Sequence, residues 1–150
     1  FSVYLPAVPP LASKSGEAAN VARAGGSILI MDDDEDVQRL LARMLKHIDC
    51  RVVAVNNGSE AVRVYKEARQ NGRPFNAVIL DLTVPGQMGA CETMAALREF
   101  DPAVKAIIAS GRTDDPAMVN WQEFHFAGVL LKPFQMQNLL DLVRKIIASA

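Results

Sequence analysis

Asp32, Asp33 and Asp34 directly follow the apolar run Ile28-Leu29-Ile30-Met31. Asp81 follows Ala77-Val78-Ile79-Leu80, Ser110 follows Ala106-Ile107-Ile108-Ala109, and Lys132 follows Gly128-Val129-Leu130-Leu131. Converging carboxylates repel, and each raises its neighbours' pKa unless a cation intervenes. An oxygen-only donor set favours a hard cation, and two or three carboxylates with a carbonyl and waters suit Mg2+. A lysine and a hydroxyl beside such a centre can hold further oxygens of a phosphoryl group carried on one carboxylate. That chemistry needs little beyond positioning and charge stabilisation. Each piece alone has an ordinary explanation. Acidic residues suit the positive end of a helix dipole, which is the role expected of Asp34, Glu35 and Asp36, and an Asp before a turn or a Lys-Pro pair is a common loop feature. Four such groups at the ends of four apolar runs are harder to dismiss.

The runs themselves are short and continuous, as strands buried on both faces require. They cover residues 28–31, 52–55, 77–80, 106–109 and 128–131. Helical periodicity fills the gaps. Val37, Leu40, Leu41, Met44, Leu45 and Ile48 recur on one helical face. Ala61, Val64, Tyr65 and Ala68 mark a second helix, and residues 91–100 a third. Pro116 opens a fourth with Met118 and Trp121 inward, and Leu139, Leu140, Leu142, Val143, Ile146 and Ile147 make the fifth. Five strands alternating with five helices imply an α/β fold with a doubly wound parallel sheet covered on both faces. In such sheets the ligand site lies at the carboxyl edge, where the strand order reverses. With the flavodoxin-like order 2-1-3-4-5, the first and third strands are neighbours there, and Asp32, Asp33 and Asp81 converge.

Composition narrows the classes. Half of the 150 residues are hydrophobic, enough for one domain with a sizeable core. Lys+Arg 16 against Asp+Glu 17 leaves a net charge of −1, which argues against a general nucleic-acid binder. No apolar run reaches the roughly 18 residues of a membrane span. Cys50 and Cys91 lack metal spacing, which points to a reducing, cytoplasmic setting. The chain opens on Phe1 with no signal-peptide pattern, as expected of a fragment or processed product. His47 and His125 stand without metal or triad spacing and read as surface or capping groups. Trp121 reads as packing.

Taken in order and spacing, Ile28-Leu29-Ile30-Met31-Asp32-Asp33, Val78-Ile79-Leu80-Asp81-Leu82-Thr83-Val84-Pro85-Gly86, Ile107-Ile108-Ala109-Ser110-Gly111 and Leu131-Lys132-Pro133-Phe134 resemble the receiver domain of two-component response regulators. The resemblance runs from Ser27 to about Ala148. It implies that Asp81 accepts a phosphoryl group from a phosphohistidine of a histidine kinase or histidine phosphotransfer domain. It further implies Mg2+ held directly by Asp33 and Asp81, through water by Asp32, and by the backbone carbonyl of Thr83. Ser110 becomes the hydroxyl switch residue, and Lys132 the lysine whose bond to Pro133 is usually cis in the family. One position departs from the pattern: Val129 stands where the family has a switch aromatic, which puts the aromatic output mechanism in doubt.

Residues 1–5 resemble the last strand of a histidine kinase ATP-binding domain, and residues 6–26, rich in Pro, Gly, Ser and Ala, read as a flexible linker. Residues 27–150 then form the receiver, and the expected parent is a hybrid sensor histidine kinase that can be membrane-attached, while this fragment makes no membrane contact. The oligomeric state is left open. The competing readings are a Mg2+-dependent phosphatase of the haloacid dehalogenase type, a flavodoxin-like FMN protein and an unphosphorylated pseudo-receiver. The phosphatase family places its nucleophile on the first strand and a second Asp two residues later, where this chain has Thr83. The acidic loop after the first strand would repel an FMN phosphate, and intact Asp81, Ser110 and Lys132 argue against the pseudo-receiver.

Overall fold

The computed structural model describes residues 26–82, 88–112 and 114–148. Thr83, and residues 1–25 with their expected strand and most of the linker, lie outside that set. Within it the chain runs β1 (Gly26–Met31), α1 (Glu35–Leu45), a 3-10 turn (Lys46–Ile48), β2 (Cys50–Val55), α2 (Gly58–Gln70), β3 (Ala77–Asp81), α3 (Ala90–Phe100), β4 (Ala106–Ser110), α4 (Pro116–Val119), β5 (Gly128–Leu131) and α5 (Met136–Ala148). All neighbouring strands are parallel, in the order β2-β1-β3-β4-β5. This is the architecture expected from the alternation of short apolar runs and amphipathic stretches.

Strand periodicity divides the core. Leu29, Met31, Val78, Leu80 and Ile108 face α2, α3 and α4, where they meet Ala61, Tyr65, Met94, Leu97, Met118 and Phe126. Ile28, Ile30, Ile79, Ile107 and Leu130 face the other way, onto Leu41, Leu45, Leu139, Val143 and Ile146 of α1 and α5. Central β3 and β4 are buried at every residue, whereas edge strands β2 and β5 are only partly covered. Successive side chains of a strand point to opposite faces, so a strand packed on both sides must be apolar throughout.

Local chemistry sets the helix starts. Asp34 caps α1 by accepting the Asp36 N–H at 2.9 Å, Asn57 caps α2 by accepting the Glu60 N–H at 3.0 Å, and Asp115 caps α4 by accepting the Ala117 N–H at 2.9 Å. The far ends of α2 and α3 are stapled. The Tyr65 hydroxyl and Arg69 Nη1 both donate to Asp101 Oδ2 at 2.7 Å, and the Ala103 N–H fills Oδ1 at 3.1 Å. Burial, followed by the Asp101 hydrogen bond and charge, pushes the Tyr65 phenol well above its ordinary range.

Three expectations need correction, and in one of them β2 begins at Cys50 rather than Val52. Strand β1 begins at Gly26 rather than Ile28, because Gly26 and Ser27 already pair with Cys50 and Arg51 and the Ser27 N–H donates to Asn76 Oδ1 at 2.8 Å. Helix α4 closes after one turn. Trp121, expected within it, lies beyond the helix, half-buried against the α2–α3 side of the core. Val119 is 63% exposed, so no apolar stripe carries the helix forward. Short turns through Asn120, Gln122 and His125 replace it, with His125 at φ 71°. So short a helix gains too little from propagation to persist without packing.

Candidate functional site

The carboxyl ends of the central strands deliver the reactive groups. The Asp32 N–H continues the β1–β2 ladder to the Val55 carbonyl at 3.1 Å. Register pairs Met31 with Leu80, which sets Asp32 opposite Asp81, the last residue of β3. Asp81 pairs with Ala109, so Ser110 lies one residue further along β4. The Lys132 N–H donates to the Ser110 carbonyl at 3.0 Å, and the Lys132–Pro133 bond is cis, as the resemblance implied.

Across this edge the side chains meet. Oxygens of Asp32, Asp33 and Asp81 all lie within 4.8 Å of one another. Lys132 Nζ donates to Asp32 Oδ2 at 3.1 Å and to Asp81 Oδ1 at 3.3 Å. Asp32 and Asp81 are buried, Asp33 is exposed and the Lys132 side chain is 27% exposed. The cluster is therefore open to solvent on the Asp33 side. Ser110 is buried, and its Oγ accepts the Arg112 N–H at 3.0 Å, which leaves the hydroxyl hydrogen to donate. Asp34 turns away as the α1 cap, and its N–H donates to Asp32 Oδ1 at 2.9 Å.

Electrostatics follows from this crowding. Burial, then the Asp32 charge and more weakly that of Asp33, pushes the Asp81 carboxyl up to about 6, against the pull of Lys132. Burial alone would lower the Lys132 ammonium, but its hydrogen bonds and charge contacts with Asp32 and Asp81 together hold it above its ordinary value. One ammonium facing three carboxylates leaves negative charge uncompensated. The donor set fits a small hard cation. Oxygens about 2.1 Å from a Mg2+ ion stand roughly 3 to 4 Å apart, and these carboxylates, all within 4.8 Å of one another, lie close enough to converge on one ion. Four residues singled out by type and position, Asp32, Asp33, Asp81 and Lys132, are thus brought together, with Ser110 on the adjoining strand end.

Two features escaped the sequence reading. Gln38, half-buried on α1, places Nε2 2.6 Å from the Asp32 carbonyl, 3.0 Å from the Val55 carbonyl and 3.0 Å from Asn56 Oδ1. A glutamine beside an apolar helical stripe gives no signal distinguishing it from a surface residue. Gly58 donates its N–H to the Met88 carbonyl at 3.1 Å. The Asn57-Gly58 pair signals a turn but not what the glycine packs against.

Comparisons with known proteins bear on the family and the fold. The model of the response regulator receiver domain family matches residues 28–144. A response regulator receiver protein of Anaeromyxobacter sp. (strain Fw109-5) is 31% identical over 114 residues, which make up 76% of this chain and 45% of that protein. The response regulator receiver protein CpdR of Brucella abortus (strain 2308) is 27% identical over 123 residues, 82% of this chain and 98% of that one. Among solved structures, the receiver domain of sensor histidine kinase PA1611 from Pseudomonas aeruginosa PAO1, with a magnesium ion coordinated in its active-site cleft, has a TM-score of 0.72 and 22% identity, covering 83% of this chain and 98% of that domain. Several curated relatives are longer proteins, of which this chain spans half or less.

Proposed function

Because the chain belongs to the response regulator receiver domain family, we propose that Asp81 is its phosphoacceptor, charged by a phosphohistidine of a histidine kinase or histidine phosphotransfer domain. The observation that carries this reading is the convergence of Asp81 with Asp32, Asp33 and Lys132 at the carboxyl edge of the sheet. An Asp81 carboxylate oxygen attacks phosphorus as the donor N–P bond breaks, and the imidazole nitrogen keeps the bonding pair. Asp32, Asp33 and Asp81 would hold Mg2+, with the Thr83 carbonyl as a further ligand. When bound, that ion neutralises charge developing on the phosphoryl oxygens. Lys132, already within 3.3 Å of Asp81, pairs with one phosphoryl oxygen, and the Ser110 hydroxyl donates to another. The same groups govern loss of the phosphoryl group to water, so the domain catalyses only its own phosphorylation and dephosphorylation. Neither the phosphatase nor the pseudo-receiver alternative is favoured. Asp81 ends the third strand in chain order rather than lying on the first, and the acceptor, hydroxyl and lysine are all present.

The proposal extends to context. The strand-like phrase of residues 1–5 and the Pro-, Gly-, Ser- and Ala-rich sequence of residues 6–25 support a receiver joined to a preceding histidine kinase ATP-binding domain, in a cytoplasmic hybrid kinase segment. The similar fold of the receiver domain of sensor histidine kinase PA1611 supports that reading. The acceptor is tested by incubating the protein with acetyl phosphate and Mg2+ and reading intact mass. One phosphoryl adduct is expected on the wild type and none on Asp81→Asn. A full adduct on the variant overturns the assignment.

A further inference from the structure

The acidic cluster straddles two chain segments. The β1–β3 ladder sets Asp32 opposite Asp81 through the Met31–Leu80 pair and ends there. Asp33 lies beyond the ladder after β1, and Leu82 lies beyond it after β3, its carbonyl accepting the Ala90 N–H at 3.4 Å. A third segment, which offers no ligand of its own, touches both. Toward the first, Gln38 Nε2 spans the Asp32 carbonyl at 2.6 Å, the Val55 carbonyl at 3.0 Å and Asn56 Oδ1 at 3.0 Å. Two backbone carbonyls facing the same nitrogen require the amide NH2 group there. Toward the second, the Gly58 N–H donates to the Met88 carbonyl at 3.1 Å.

The fit at Gly58 leaves no slack. A β-carbon there would overlap Thr93 Oγ1 and fall 2.8 Å from Met88 Cβ. Thr93 cannot easily retreat, since it is fully buried and donates its hydroxyl to the Gly89 carbonyl at 2.6 Å. The turn between these two anchors is itself held. Asn57 Oδ1 accepts the Glu60 N–H at 3.0 Å, and the Asn56 N–H reaches Glu60 Oε1 at 3.4 Å.

We propose that the Asn56–Asn57 turn is a strut that sets the spacing between the Asp32–Asp33 turn and the Leu82–Ala90 contact just beyond Asp81, with Gln38 and Gly58 as its positioning residues. Their role in metal binding rests on the reading of the acidic cluster as a Mg2+ site, whereas the strut rests on the contacts alone. Losing the Gln38 amide frees the first turn, and adding a methyl at Gly58 displaces Met88 and with it Ala90, the partner of the Leu82 carbonyl. Neither change touches a carboxylate.

The test titrates MgCl2 against melting temperature in the wild type, Gln38→Met, Gly58→Ala and Tyr65→Phe. Partners that orient metal ligands typically govern affinity by a factor of ten or more, so the first two variants should raise the Mg2+ midpoint about tenfold. Tyr65→Phe loses the Asp101 hydrogen bond at the opposite end of α2. It should melt earlier with its Mg2+ midpoint within about twofold of wild type, as expected of distant sites. Equal midpoints in all four proteins overturn the positioning role. Amide resonances without metal provide a second reading. Gln38→Met should shift the Leu82 and Ala90 amides, and Gly58→Ala those of Asp33 and Asp34, each across the strut from the change. Silence at those amides overturns the strut itself. Crossing shifts in a protein whose melting never responds to Mg2+ would keep the strut and overturn the magnesium reading instead.

Discussion

The two halves of the sheet are covered very differently. Around β1 and β3, loops and helices are tied side to side: Gln38 links three strand and turn ends, Gly58 abuts Met88, and Asp101 staples α2 to α3. Around β4 and β5, α4 makes a single turn, Val119 is 63% exposed, and Leu131 on the edge strand is 48% exposed. A groove lined by Val129, Leu131, Pro133, Asn138, Leu142 and Lys145 remains beside β5. The carboxylates belong to the tied half, Ser110 ends the buried strand β4 between the two, and Lys132 comes from the looser one. The comparison teaches that Asp32 and Asp81 are held in place by packing, whereas Lys132, which would grip a phosphoryl oxygen, follows the more thinly covered edge strand β5.

The comparison can be broken most directly by truncating one residue from each half. Leu97 is fully buried beneath the tied half, so Leu97→Ala should cost about 3 kcal/mol in transfer and cavity free energy. Val119→Ala, on the exposed turn, should stay within about 0.5 kcal/mol of wild type. Urea unfolding of the two variants measures both. Similar losses would mean that α4 carries packing its exposure conceals.

Asp81 sharpens the comparison from the opposite direction, because the tied half confines a carboxylate at some cost. In metal-free protein its pKa is about 6, against 3.8 for the ordinary group. Between those values the folded state binds more protons than the unfolded state, so this group's contribution makes stability fall as pH rises from about 4 to about 6. The penalty is complete above that range and absent below it. Asp81→Asn should therefore stabilise the chelated protein at neutral pH, by at most about 3 kcal/mol at roughly 1.4 kcal/mol per pKa unit. The gain should vanish near pH 4. Urea unfolding at both pH values in the presence of a chelator reads it. A variant less stable than wild type at neutral pH would show that the Lys132 contact outweighs the burial of the charge.

How far the sequence anticipated these halves follows from the same physics. The central strands were legible because residues 77–80 and 106–109 are apolar on both faces, and the site was legible because Asp81, Ser110 and Lys132 each close such a run. The true start of β1 was not, since Gly26 and Ser27 enter the sheet by backbone pairing with β2 rather than by hydrophobicity. The short α4 was misread because Met118 and Trp121 keep helical spacing although Trp121 packs from a turn. Gln38 and Gly58 were invisible as positioning groups because their roles lie in contacts with backbone carbonyls and with Met88, which residue type does not encode. Thr83, expected to contribute its carbonyl, lies outside the described residues.

Val129 gives the smallest expected effect and the closest look at the looser half. It is half-buried on β5 against the core that holds Met118 and Phe126, and it also lines the groove beside β5. Its branched side chain has few χ1 states, so it cannot carry a ring between buried and exposed positions. A phosphoryl group on Asp81 would draw the Ser110 hydroxyl, whose Oγ now accepts the Arg112 N–H, and strain would pass first into the loop beyond it. Beryllofluoride with Mg2+, as a phosphoryl mimic, should therefore shift the amides of Ser110, Gly111 and Arg112 strongly. Those from Val129 to Lys145 should move little, with no dimer forming in sedimentation. Lys132 would be a local exception, since its ammonium already contacts Asp81 at 3.3 Å and its N–H is bonded to the Ser110 carbonyl. Strong shifts across the rest of that stretch, together with a new dimer, would show that the groove beside β5 transmits the signal without an aromatic side chain, and that the looser half is the more responsive of the two rather than only the less covered.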